Sequence, residues 1–137
     1  MKQILLITAI AINFSLFAQT KADDLMGTYM TDKSEGMVEI TKRDSKYYGK
    51  LIWTKTPGKL DSNNPDKAQQ TEKLAGKEIL KNFTFDDDTW KDGTIYDPKN
   101  GKTYSCKITR DDKGNLNVRG FIGVSMLGRT TFWVKVK

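Results

Sequence analysis

The chain has 137 residues, enough for one domain with a modest core and not for two. Its 23 Lys and Arg against 17 Asp and Glu leave a net charge of +6, spread along the chain without a basic stripe, which disfavours a nucleic-acid-binding module. Histidine is absent, and that excludes Ser-His-Asp and Cys-His machinery, His-ligated zinc and an imidazole proton shuttle.

The opening stretch, MKQILLITAIAINFSLFAQTKADD, has the three parts of an export signal. Lys2 supplies the positive region, Ile4 to Phe17 the apolar run, and Leu16-Phe17-Ala18 a small-residue cleavage site, with a second cut available after Ala22. The apolar run is shorter than the roughly 20 residues a bilayer span needs. The expected arrangement is a signal over 1–18 (alternatively ending at 22) and one domain over 23–137. No membrane span is expected after cleavage, and the expected location is secreted or periplasmic.

Short alternating runs separated by turn residues fill the remainder, and they predict an all-β fold. Strands are expected over 27–31, 36–42, 45–55, 78–85, 89–97, 102–110, 116–123 and 129–136. Alternation places Val38 and Ile40 together, then Tyr47, Gly49, Leu51 and Trp53 together. In the last strand it sets Phe132, Val134 and Val136 opposite Thr131, Trp133 and Lys135. Residues 56–75 are polar and turn-rich, longer than a compact domain tolerates without a purpose such as a lid, with a short helical turn around 66–75. Asn100-Gly101 and the stretch 111–115 read as hairpin turns. Eight strands joined in sequence order make an up-and-down antiparallel meander that removes its edges by closing into a barrel. Cys106 is the single cysteine, so no internal disulfide forms, and its alternation with Tyr104 and Ile108 reads as a buried, inert thiol.

Residues 123–130, GVSMLGRT, lie one substitution from a phosphate-binding loop. That loop works by joining a strand to a helix, whereas only seven residues follow Thr130 and they alternate as a strand. Gly120, Gly123 and Gly128 therefore read as bends or turns in a sheet. Of Phe121, Ile122, Val124, Met126 and Leu127, alternation buries about half, and the others form an apolar rim or partner-binding patch.

Several blocks together resemble the domain of unknown function 2147 family, small secreted bacterial proteins with a calycin-like, lipocalin-like barrel. They are DSNNPD (61–66), DGTIYDPKNGKTYSCKI (92–108), VRGFIG (118–123) and LGRTTFW (127–133). The matching positions include Asp61, Asn63, Asn64, Pro65 and Asp66; Tyr96, Asp97, Pro98 and Gly101; and Arg119, Gly120, Gly123, Gly128 and Arg129. The resemblance spans about Leu25 to Val136 and implies export, a barrel and no established activity. Two positions depart from it. Gly27-Thr28-Tyr29 stands where such barrels open G-x-W, and Lys135 follows the last tryptophan where arginine is usual. The pair closing the barrel bottom is then Tyr29 with Lys135 or Arg129, a weaker cation–π contact.

Chemistry-bearing clusters have plainer explanations. Asp61, Asn63 and Glu72 fall in an EF-hand register, but Pro65 and Asp66 occupy its fifth and sixth positions, and the sixth needs glycine. A turn capped by Asp61, Asn63 and Asn64 is the better reading. Asp86, Asp87, Asp88 and Asp92 are too divergent in a turn to act as paired glycosidase carboxylates. Neither metal nor cofactor is expected. The strand aromatics Tyr47, Trp53, Trp90, Tyr96, Tyr104, Phe121 and Trp133 either fill the barrel or line a small pocket with Met126 at its mouth. The leading expectation is a non-catalytic carrier of a small apolar ligand. The alternative is a filled barrel whose 56–75 loop and 120–128 rim bind an envelope protein. Catalysis, third, needs a carboxylate or tyrosine with a strongly perturbed pKa in a cleft.

Overall fold

The structure is a computed structural model that describes residues 21–137; the export signal expected over 1–18 lies outside them. Eight strands run in order: β1 Gly27–Met30, β2 Gly36–Arg43, β3 Lys46–Thr54, β4 Glu78–Asp86, β5 Thr89–Asp97, β6 Lys102–Arg110, β7 Leu116–Phe121 and β8 Gly128–Lys135. Each pairs antiparallel with the next, and β8 returns to β1 through Tyr29 opposite Lys135 and Met30 opposite Val134. The result is a closed barrel without a free edge, as the meander predicts.

The connections alternate between the two ends, and their lengths differ. At one end β2–β3 and β4–β5 turn through two residues each. Asp44, Ser45, Asp87 and Asp88 all have φ between +50° and +64°, the geometry of a tight hairpin that Asp tolerates. A short helical turn at 21–23 plugs this end. The Trp90 indole donates to the Ala22 carbonyl at 2.9 Å, Tyr47 donates to Asp23 at 2.6 Å, and Tyr29 donates to the Leu25 carbonyl at 2.8 Å. The Lys135 ammonium stands 5.9 Å from the Tyr29 ring centre, so Lys135, not Arg129, makes the closing cation–π pair. Tyr29, Tyr47, Phe83, Trp90, Ile108 and Leu116 fill this half of the interior. Phe83 packs flat against Gly93, where a Cβ would stand 2.5 Å from its ring.

The other end carries the longer connections: 31–35, 55–77, 98–101 and 122–127. It is not plugged.

Two expectations about facing are corrected. Trp53 does not join Tyr47, Gly49 and Leu51 inside. Met37 lies opposite Trp53 while Val38 lies opposite Leu51, so Ile52 is an extra residue on β3. That bulge resets the two-residue alternation and leaves Trp53 39% exposed. The run 120–128 also buries less than alternation implies. β7 ends at Phe121, so the next six residues are loop, and Ile122, Val124, Met126 and Leu127 are between 60% and 85% exposed.

Candidate functional site

The unplugged half of the barrel holds a cleft of about 900 Å3, within the few hundred to about 1,000 Å3 typical of small-molecule sites. Its deep wall is apolar: Leu51, Leu74, Ile79, Ile95, Val118 and Trp133, drawn from six separate parts of the chain. Tyr96, Tyr104 and Phe121 line it nearer the mouth. Four of the eight aromatic or Met candidates thus come together: Tyr96, Tyr104, Phe121 and Trp133. Tyr47 and Trp90 do not line the cleft; they belong to the plugged end, where Trp90 packs against Phe85 with ring centres 4.8 Å apart and planes tilted by 45°. Trp53 and Met126 are exposed and lie outside the lining.

One wall of the cleft is held by a buried polar hub. Asp61 is 1% exposed. Its carboxylate accepts from the Tyr96 hydroxyl at 2.6 Å, from the Asn64 amide at 2.8 Å and from the Lys77 ammonium at 2.8 Å. Burial works to raise the Asp61 pKa, but the donors from Lys77, Tyr96 and Asn64 together hold it below the usual carboxylate range. Burial and then the bond to Asp61 push Tyr96 up to about 12. Both shifts move the pair away from neutrality, opposite to the tuning a general acid or base needs. Burial likewise pushes the Cys106 thiol up to about 12.

The same hub explains why DSNNPD and IYDPKNG read as conspicuous blocks. Asn63 does not cap its own turn, as the sequence suggests; its amide reaches across to the Pro98 and Lys99 carbonyls at 3.0 and 3.1 Å. Asn64 accepts from the Asp66 N–H at 2.9 Å, and Asp66 caps the 3-10 turn Lys67–Gln69. Gly101 has φ +72°, and a Cβ there would overlap the Asn63 carbonyl. Two stretches distant in sequence are thus one clamp that folds the 55–77 connection onto β5.

Arg119 does comparable work for the 122–127 loop. Its guanidinium donates to the Ser125 carbonyl at 2.6 Å, the Met126 carbonyl at 3.2 Å and the Thr130 hydroxyl at 2.8 Å. Gly123 turns the loop at φ +77°, and Gly128 presses against the Gly120 carbonyl, 2.5 Å from where its Cβ would stand. Thr130 continues into β8, with no helix to make a phosphate loop.

The rim carries charge that linear reading does not reveal. Lys33, Lys55, Lys59, Lys99 and Arg129 stand around the mouth, against Asp32, Glu35 and Asp97. Lys99 pairs with Glu35 at 2.9 Å. The Lys99 bond comes first in holding the Glu35 carboxyl below its usual range, against partial burial, and the fields of Lys33 and Lys59 add to it. Among the described residues, no group of three His, Cys, Asp or Glu could hold a metal ion, and no helix is long and apolar enough to cross a membrane.

A family model described as an uncharacterized protein conserved in bacteria, DUF2147, matches residues 27–135. No curated protein matches the sequence. Among solved structures, the chain is similar to protein HP1028 from the human pathogen Helicobacter pylori, described as belonging to the lipocalin family. The TM-score is 0.76 and the identity 22%, over 82% of this chain and 83% of that one. That likeness establishes the lipocalin-like fold.

Proposed function

The chain belongs to the DUF2147 family, and on that premise we propose that it is an exported, non-catalytic binding protein that carries a small apolar ligand in the open half of its barrel. The observation that carries this reading is the apolar-walled cleft of about 900 Å3 beside a fully packed lower half. A barrel of eight strands is wide enough either to be filled or to hold one small molecule, and this chain divides its length between the two. The inward-pointing Tyr104 and the rim groups supply the few polar anchors such sites use. Export is supported by the charged, apolar and small-residue order of 1–18.

Protein purified natively from its host is expected to release an apolar compound into organic solvent, identified by mass spectrometry. The emptied protein is expected to take up an environment-sensitive apolar dye in a saturable one-to-one titration. Extracts that are always empty, together with no dye uptake, would sink the proposal.

A second reading draws on the exposed loop 122–127, where Ile122, Val124, Met126 and Leu127 project from one short turn. Apolar clusters held rigidly in water mark interaction sites. Here the loop docks an envelope protein, and a cross-linking pull-down should recover one dominant partner that Met126→Asp abolishes. If that substitution leaves every partner in place, this reading is wrong.

A further inference from the structure

We propose that the ligand of this cleft is an anionic amphiphile: a hydrocarbon moiety lodged in the apolar interior, with a carboxylate, sulfate or phosphate head at the mouth. This rests on the carrier reading and goes beyond it by assigning the charge and placement of the head. Five cations reach the rim from four parts of the chain: Lys33 from the β1–β2 connection, Lys55 and Lys59 from the start of the β3–β4 connection, Lys99 from the β5–β6 turn, and Arg129 from the start of β8. Only three carboxylates face them, an excess of two positive charges, and one of the three is already paired with a cation. Glu35 is bonded to Lys99, and Asp97 accepts the Lys99 backbone N–H at 2.9 Å. Asp32 is the remaining rim acid.

Among the described residues Lys33, Lys55, Lys59 and Arg129 make no ion pair. Like charges converging on a low-dielectric cavity raise one another's energy, and an anion entering the ring relieves that repulsion. A neutral apolar ligand leaves the ring uncompensated, and a cationic one adds to it. The interior below the ring offers no charged group to a buried head, since its wall is Leu51, Leu74, Ile79, Ile95, Val118 and Trp133. The head therefore stays at the rim while the chain points inward.

The test is a titration, at low salt and neutral pH, with dodecanoate, dodecan-1-ol and dodecylammonium, which share one chain length and differ in head charge. Dodecanoate is expected to bind about tenfold or more tighter than either of the others, with the advantage shrinking as salt is added. The double variant Lys55→Glu/Lys59→Glu, on the exposed rim, is expected to erase or invert that order while leaving the circular dichroism spectrum unchanged. Equal binding of all three, or tightest binding of the ammonium, overturns this inference and leaves the carrier reading standing; binding of none overturns both. A parallel sedimentation with phosphatidylglycerol and phosphatidylcholine vesicles distinguishes the source of the head. Pelleting with the anionic vesicles that Lys55→Glu/Lys59→Glu abolishes means the head is met in a bilayer, whereas uptake of dodecanoate without pelleting means a free monomer; either supports the anionic head, and pelleting that the double variant retains, without dodecanoate preference, overturns it.

Discussion

Replacing Asp61 by alanine is expected to destabilise the protein by about 3–5 kcal/mol, because it strands a buried ammonium, leaves the Tyr96 hydroxyl unmatched and leaves the Asn64 amide only Gln69 at 3.4 Å. The Lys77 side chain is 13% exposed and Asp61 not at all. Lys77 retains only Gln69 at 2.7 Å and the solvent-exposed Glu72 at 3.8 Å. Differential scanning calorimetry should show the midpoint falling by roughly 10 °C or more for a domain of this size. The effect carries a pH signature. The folded Asp61 carboxyl is held below its usual value, so its stabilisation is fully present above the unfolded-state pKa of about 3.9. It is lost as pH falls through the lower, folded value. The gap between native protein and Asp61→Ala should therefore be widest near neutrality and close progressively below about pH 4. A midpoint shift of a degree or two at neutral pH would show that the hub contributes little to folding.

Gly120→Phe is expected to weaken ligand uptake without unfolding the barrel. Gly120 lines the cleft, and a Cβ built there meets Ile95 at 3.4 Å, Tyr104 at 3.6 Å and the Ser105 carbonyl at 4.0 Å, ordinary contacts. No positive φ constrains the site, so a side chain is tolerated by the backbone. The benzyl group then occupies the space that a hydrocarbon chain would take, between Ile95 and Tyr104. Affinity for an apolar dye should drop by about tenfold, since one benzyl group takes part of the apolar wall and not the whole cleft. The thermal midpoint should hold or rise, since an apolar side chain covers apolar surface. Undiminished uptake by a well-folded variant would place the dye elsewhere and remove the cleft from consideration.

The family blocks illustrate how much of the site was readable from sequence. Asp61, Asn63 and Gly101 stood out as a set, yet the local-turn explanation covers only Asn64 and Asp66. Asn63 and Gly101 meet across 38 positions in the chain because the 55–77 connection folds back onto the β5–β6 turn. No local signal carries that. Trp53 fails for a similar reason. Its alternation with Leu51 is correct as pattern, but an extra residue in β3 becomes a bulge only against β2. In the sequence the rim cations form a dispersed net charge, since Lys33 and Arg129 lie at opposite ends of the domain until the barrel closes.

The amino-acid order alone determined the strand periods, the tight polar turns between them, the lack of imidazole chemistry and the inert placement of Cys106. Each of these depends on a residue's own preferences or on neighbours a few positions away. Tertiary structure alone decided which half of the barrel is filled, that the other half opens, and that the cations gather at its mouth. Those properties arise when β8 pairs with β1, because only closure of the sheet gives inward side chains a common interior and gives distant connections a common rim.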